Sequence, residues 1–413
     1  MSGVIFGGLG LLCLDTHSVF RMNLLFQFVT LLSATLCLGA PPSHHIFSDF
    51  PGGNVKIDSV RGNHIYFRPD LRDTGQDWFY WYFAVKPTRT DSLHFHLTRP
   101  NCLTNKGPAI SRDGGKTWQW KGKGASANEF VLFAKAGEEI RLSMGIPYTQ
   151  QHLDLFLRDY QATPALKLET LCISPKGRAT EKLIIGANES AKQRVLITAR
   201  HHACEMMASY VLEGVIAALL SDDPKMKQLI ETTAFWIVPF VDKDGVEDGD
   251  QGKSRLPRDH NRDYDGKSIY TSTQALRNQV PQWKAGSPLV AFDLHCPWIT
   301  GNLNEHIYLV GNRRENIAKE QEAFIQLLGK NNTGELKFDV SNGFVPFGTA
   351  WNTAKNYTQG MSFAAWTAGL ADTRMTTTFE IPYAINHQQE LNPSNLRDFG
   401  KDLAHTLVDY LKN

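Results

Sequence analysis

Arg194 to Leu220, RVLITARHHACEMMASYVLEGVIAALL, is the stretch from which the rest of the chain is read. Val195-Leu196-Ile197-Thr198-Ala199 is a short apolar run and reads as a buried strand. After Arg200-His201-His202 the pattern turns helical, with Met206, Tyr210, Val211, Val215 and Leu219 recurring at helical spacing. A strand that runs straight into a helix puts the junction at the carboxyl edge of a sheet, where open α/β sheets hold their sites. Residues three apart on a first helical turn share a face, so His202 and Glu205 are placed to point at one ion. Alone, the pattern also reads as a polar helix start with a glutamate near the positive end of the dipole.

The chain has 413 residues, 42% hydrophobic and 21% charged, a globular composition long enough for two or three domains. Its 43 basic residues balance 42 acidic ones, so nothing points to a general nucleic-acid partner. Near the start, Arg21-Met22-Asn23 precedes an apolar run from Leu24 to Leu38, followed by Gly39-Ala40-Pro41-Pro42. A short positive start, a short apolar core and small residues before prolines describe a signal peptide region over residues 1–40, with Met22 as an alternative start. The run is too short for a comfortable membrane span. The expectation is an exported protein, periplasmic or secreted, with no stable span once the signal is cleaved. Cys102, Cys172, Cys204 and Cys296 would remain, too few and too scattered for a disulfide scaffold.

Residues 45–147 read as a small all-β sandwich domain. Asn63 to Phe67 alternates, Trp78 to Val85 is a dense aromatic strand, Leu93 to Leu97 alternates strictly, and Asp113-Gly114-Gly115 is a hairpin turn before Trp118-Gln119-Trp120. From residue 148 the pattern changes. Tyr148 to Tyr160 is helical, Leu166 to Leu171 and Lys182 to Ile185 are strands, and strands and helices then alternate to an amphipathic closing helix from Asn395 to Lys412. Ala234 to Val241 and Leu289 to Leu294 are near-continuous apolar runs, as in strands buried on both faces. Residues 148–413 are therefore expected to form an α/β domain, a central, mostly parallel mixed sheet with helices on both faces.

Three further elements carry chemistry. Gly249 to Tyr264, GDQGKSRLPRDHNRDY, is a polar loop in which Arg255, Arg258, Asn261 and Arg262 suit an anionic group, because an arginine fork binds a carboxylate bidentately. Phe292-Asp293-Leu294-His295 ends a buried strand in a histidine, well placed as a third ligand beside His202 and Glu205. Two histidines and one carboxylate make a three-ligand zinc site with one position left for water. Thr376 to Ile381 ends another strand at Glu380, a carboxylate flanked by apolar neighbours that could serve as general base.

This order of elements resembles the zinc carboxypeptidases, and within them the cytosolic-carboxypeptidase-like branch, which also carries an N-terminal β domain. The resemblance runs from Gly53 to the last helix. It implies one zinc per chain on His202, Glu205 and His295, with Glu380 as general base. It implies that Arg255 polarises the scissile carbonyl, with Arg258 competing for that role in a shortened loop. Asn261 and Arg262 match the pair that grips the substrate's C-terminal carboxylate, Asp259 matches an acid that orients the first ligand histidine, and Tyr357 sits where a mobile tyrosine is found. The substrate would be the C-terminus of a peptide or protein. Asp-Lys-Asp-Gly at 242–245 departs from the family's usual Asn-Pro-Asp-Gly, and Met361 to Trp366 lacks the basic residue that the cytosolic branch uses for acidic side chains. Two other readings compete. One is a zinc amidase or deacylase acting on cell-wall peptides or N-acyl amino acids. The other is a peptide-binding protein on an inactive catalytic fold.

Overall fold

The central sheet is built so that its apolar strands alternate between two buried faces. The computed structural model describes residues 44–122, 125–187 and 190–412. Nine strands come first: β1 (His44–Phe47), β2 (Lys56–Arg61), β3 (His64–Arg68), β4 (Tyr82–Pro87), β5 (Asp91–Leu97), β6 (Ala109–Ser111), β7 (Gln119–Trp120), β8 (Glu129–Ala134) and β9 (Ile140–Ser143). They form a five-stranded sheet, β1-β4-β9-β6-β7, and a four-stranded sheet, β2-β3-β5-β8. Along β5 and β8 every second residue is buried, the period-2 signature of a sheet with one face on a core. That core is aromatic: Phe67 of β3 meets Phe83 of β4 edge-on at 5.0 Å between ring centroids. The aromatic run at Trp78 enters its strand only at Tyr82. Before that, the Tyr80 backbone N–H and carbonyl are both taken by the Gln251 side chain, at 2.9 and 2.8 Å, so this stretch serves the loop beneath it and not a sheet.

After α1 (Gln150–Leu157) comes the large sheet: β10 (Leu166–Ile173), β11 (Ala179–Gly186), β12 (Gln193–Ala199), β13 (Thr233–Val238), β14 (Leu289–His295), β15 (Tyr308–Val310), β16 (Phe344–Val345) and β17 (Thr373–Glu380), in the order β10-β11-β13-β12-β14-β17-β15-β16. Its middle strands, β13, β12, β14 and β17, are parallel, and β10, β11 and β15 pair antiparallel. Val195, Ile197, Val290 and Phe292 face the helices α2 (Met207–Leu219), α6 (Glu315–Asn331) and α8 (Pro393–Lys412). Between β12 and β14 the chain also forms α3 (Pro224–Thr232) and α4 (Lys243–Asp248). Leu196, Trp236, Leu289 and Ala291 face α5 (Thr271–Lys284) and α7 (Phe363–Gly369). Helices α2 and α8 cross closely because both carry glycine there. A Cβ on Gly214 would lie 2.0 Å from the Arg397 carbonyl, and one on Gly400 2.1 Å from the Val211 carbonyl. The α/β sheet with helices on both faces, preceded by a β-rich region, is the architecture expected from the sequence.

The helix after β12 begins later than its periodicity predicts, at Met207 and not at His202. Arg200 takes a left-handed backbone conformation, φ 60°, and its buried guanidinium donates to the Ala203 carbonyl. Residues 200–206 are thereby held in turns, and His202 and Glu205 sit on a turn ahead of the helix. No helix among the described residues is long and apolar enough to cross a membrane.

A half-buried histidine ties stability to pH. His152 caps α1, its Nδ1 accepting the Thr149 backbone N–H at 3.1 Å, which requires the neutral ring. Burial, helped by Arg200 and Arg397, pushes its pKa down to about 4. A depressed histidine contributes stability that is complete above its unfolded pKa of ~6.5 and is lost as pH falls from there toward 4. We expect denaturant unfolding of the wild type to lose roughly 2–3 kcal/mol more between pH 7 and pH 4.5 than unfolding of His152→Gln. Parallel pH dependences would refute the assignment.

Candidate metal and substrate site

Three neighbouring parallel strands end at one edge of the sheet. In register, Leu294 of β14 is the partner of Ala199 of β12, and His295 is the partner of Glu380 of β17. The turn after β12 carries His202 and Glu205 to the same place. Single ligand atoms from His202, Glu205 and His295 lie within 4.8 Å of one another. The two imidazoles face each other through Nδ1, 3.2 Å apart. Glu205 Oε1 lies 2.9 Å from His202 Nδ1, and its Oε2 lies 2.7 Å from His295 Nδ1.

The far nitrogens are held by acids. His202 Nε2 pairs with Asp259 Oδ1 at 3.1 Å and His295 Nε2 with Asp293 Oδ2 at 2.7 Å. An imidazole held by a carboxylate on one side presents its other nitrogen in a fixed tautomer and direction. Asp259 itself accepts the backbone N–H groups of Asn261, at 2.7 Å, and Ser254, at 2.8 Å. Asp293 escaped the sequence reading. Its signal was there: two residues before His295 on one strand, it shares that histidine's face.

A second cluster, His201, Asp293 and His295, is also compact. Both ring nitrogens of His201 are already engaged, with Asp293 Oδ1 at 2.8 Å and the Tyr264 hydroxyl at 2.7 Å, in a fully buried setting. By contrast, Glu205 Oε2 is buried and has no hydrogen-bond partner among the described residues. A carboxylate oxygen that makes no hydrogen bond, 2.7 Å from one of two facing histidine nitrogens, is part of a donor set that fits zinc. The fields agree. Burial would lower the pKa of His202 and of His295, but Asp259 and Glu205 outweigh it at the first, Asp293 and Glu205 at the second, and both are raised. Burial would raise Glu205, but Lys253 and the two histidines hold it well below the usual carboxylate range.

The cluster opens on a cavity of about 940 Å³. Glu380 lies on its wall with Oε2 buried and without a partner, and burial pushes its carboxyl up to about 7. Arg262 also lines it, half-buried. It donates to the Asn261 and Asn356 carbonyls at 2.7 and 3.1 Å, and the Tyr357 ring lies 5.4 Å away. Tyr357 donates to Asn352 Oδ1 at 2.9 Å. Asn261 is turned inward: its Nδ2 lies 3.2 Å from His295 Nε2 and its Oδ1 accepts the Phe363 backbone N–H at 2.8 Å.

Two sequence candidates stand apart from this cavity. Arg255 is bound by three acids, Asp250 at 2.8 Å, Asp242 at 2.5 Å and Asp73 at 3.6 Å, and does not line the cavity. Arg258 pairs with Asp263 at 2.7 Å and donates to the Lys267 carbonyl. The loop's short span turns both guanidinia away from the cluster, and the basic group beside it is Lys253, which the sequence reading passed over. Lys253 is buried and its Nζ lies 2.6 Å from Glu205 Oε1. Its neighbour Gly252, at φ 75°, is pressed so close to the ligand turn that a Cβ there would sit 2.2 Å from the Ala203 nitrogen.

Residues 154–403 match the zinc carboxypeptidase family. The chain is 29% identical over 353 residues to cytosolic carboxypeptidase 2 of Danio rerio, covering 74% of this chain and 48% of that protein. It is 23% identical over 334 residues to cytosolic carboxypeptidase 6 of Caenorhabditis elegans, covering 73% and 72%. The chain thus spans about half the length of the first of these relatives. Its fold is similar to that of a metallo-carboxypeptidase from Burkholderia cenocepacia, with a TM-score of 0.72 at 19% identity, covering 90% of this chain and 99% of that one. These relatives overturn the expectation of export, since both are named cytosolic carboxypeptidases. The apolar run read as a signal lies outside the described residues.

Removing Arg255 would leave Asp73, Asp242 and Asp250 without their cation. We expect Arg255→Met to lower unfolding free energy by about 3–5 kcal/mol while zinc binding is retained in the folded protein. A stable variant with collapsed turnover would instead place Arg255 in the chemistry.

Proposed function

The chain belongs to the zinc carboxypeptidase family, and we propose that it removes the C-terminal residue of peptides or proteins, with one zinc per chain held by His202, Glu205 and His295. The observation that carries this reading is Arg262. Among the described residues no carboxylate pairs with it, and it shares one cavity with His202, His295 and Glu380. A guanidinium free of acids beside a hydrolytic centre is suited to a carboxylate on the substrate. A chain end supplies a carboxylate next to the scissile bond, so the arrangement favours an exopeptidase over an endopeptidase or an amidase that ignores the terminus.

Zinc, when bound, supplies Lewis acidity toward a water and toward the scissile carbonyl. The protein's own part is then as follows. Arg262, held by two carbonyls and covered by Tyr357, receives the terminal carboxylate. Glu380 takes the proton of the attacking water, whose oxygen bonds to the carbonyl carbon, and returns a proton to the amine as the C–N bond breaks. Asp259 and Asp293 keep the two imidazoles in the tautomer that faces the ion. Asn261 acts from behind, through His295 and the Phe363 backbone.

The segment from Met361 to Trp366 lacks a basic residue, but basic side chains reach the cavity from elsewhere. Arg313 and Arg314 follow β15, line the cavity, and have no ion pair among the described residues. Ala364, Ala365 and Ala368 also line the cavity and leave room for a side chain. This supports a preference for acidic C-terminal residues.

We expect Glu380→Gln to keep its zinc and lose turnover by about a thousandfold. In a mass-spectrometric screen of a peptide library we expect the zinc-loaded protein to release single C-terminal residues, acidic ones fastest. Arg314→Ala should erase the acidic preference without affecting neutral peptides. Intact peptides, or cleavage indifferent to C-terminal amidation, would reject the carboxypeptidase reading.

A further inference from the structure

Lys253 is a buried cation that the mechanism above does not use. Its Nζ lies 2.6 Å from Glu205 Oε1, donates to the Cys296 carbonyl at 2.8 Å, and has the Pro297 carbonyl at 3.4 Å. An ammonium has three protons, and these three oxygens account for all of them. Two of the acceptors are backbone atoms that directly follow His295. The group therefore cannot follow a moving carboxylate without abandoning two backbone acceptors. The ammonium also lies over the Trp78 ring, 5.2 Å from its centroid. The two oxygens of Glu205 are thus unequal. Oε1 is engaged by Lys253 and His202, and Oε2 has no hydrogen-bond partner and faces His295.

We propose that Lys253 is a positioning residue that makes Glu205 a one-oxygen ligand, holding Oε1 so that only Oε2 is offered to the ion. The inference rests on the reading that His202, Glu205 and His295 hold zinc. Its consequence is physical. Three single-atom ligands leave a position open for water or a carbonyl, and a second carboxylate oxygen would crowd it. The same ammonium shares the charge of Glu205, so the carboxylate donates less to the ion and leaves it more electrophilic. Lys253 also braces the Glu205 turn against the strand end that carries His295, fixing the spacing between two ligands that come from separate elements.

The test is a crystal structure of the zinc-loaded wild type, together with visible spectra of the cobalt-substituted wild type, Lys253→Met and Lys253→Arg. The expected structure has one Glu205 oxygen at about 2.0–2.2 Å from the ion, with Lys253 still bonded to the other. Lys253→Met should release the second oxygen to the ion, weakening the cobalt visible bands as coordination number rises. Lys253→Arg should restore the wild-type spectrum. Both oxygens on the ion in the wild type, Lys253 swung away from Glu205, or a Lys253→Met spectrum that superimposes on the wild type would overturn the proposal. An ion on His201 and Asp293, or none at all, would overturn the metal reading itself and the proposal with it. If the methionine variant does not fold, the wild-type structure decides alone.

Discussion

The pairing of β14 with β17 is the constraint on which the site depends. In that register His295 and Glu380 are direct neighbours at the ends of parallel strands. A slip of one residue would turn one of the two to the opposite face of the sheet, because strand side chains alternate. The register is held by what lies beneath. Phe292 and Phe379 pack edge-on at 5.2 Å, and Phe292 meets Phe324 of α6 at 5.3 Å. The apolar side of each strand, covered by helices, thereby fixes where its last polar residue points.

Much of this was legible in the sequence because burial on both faces leaves a plain mark. Val195 to Ala199, Phe235 to Val238 and Leu289 to Leu294 are apolar at nearly every position, and only a covered, parallel sheet tolerates that. His295 stood out as a polar residue ending such a run, and Glu380 as a carboxylate between Phe379 and Ile381. The helix start was misread because hydrophobic spacing cannot show that Arg200 turns left-handed. The directions of the basic residues in the loop were not legible for a different reason. Lys253, Arg255 and Arg258 lie within six positions of one another, and their directions are set by partners distant in sequence. Asp73 accepts the backbone N–H groups of Gln251 and Gly252 at 3.0 and 2.8 Å, and Gln251 in turn grips Tyr80. No local pattern encodes such contacts.

Those same contacts give the β-rich region a role in the site. Asn54 donates to the Gly249 carbonyl at 2.7 Å, the Leu256 backbone N–H reaches the Asp73 carbonyl at 2.9 Å, and Arg255 closes the junction against Asp73, Asp242 and Asp250. The loop from Gly249 to Leu256 is thus pinned from the N-terminal side. It is the loop that brings Lys253 and Asp259 to the ligands. Arg255 acts at this junction as a staple, a use of a buried guanidinium that depends on all three acids being close.

The charge around the cluster explains why a divalent cation suits it. Glu205, Asp259, Asp293 and Glu380 gather with Lys253, among the described residues the one permanent cation in contact with Glu205. Ionised carboxylates in a low-dielectric setting demand compensation. The raised pKa values of His202 and His295 express that demand, since each imidazole is driven to hold a proton it would otherwise release on burial. A dication held by His202, Glu205 and His295 would replace those protons with charge at the centre of the same field. Asp259 and Asp293, which on their own would keep the imidazoles protonated, then strengthen them as ligands. The field that would otherwise favour two imidazolium ions is the field that favours the metal.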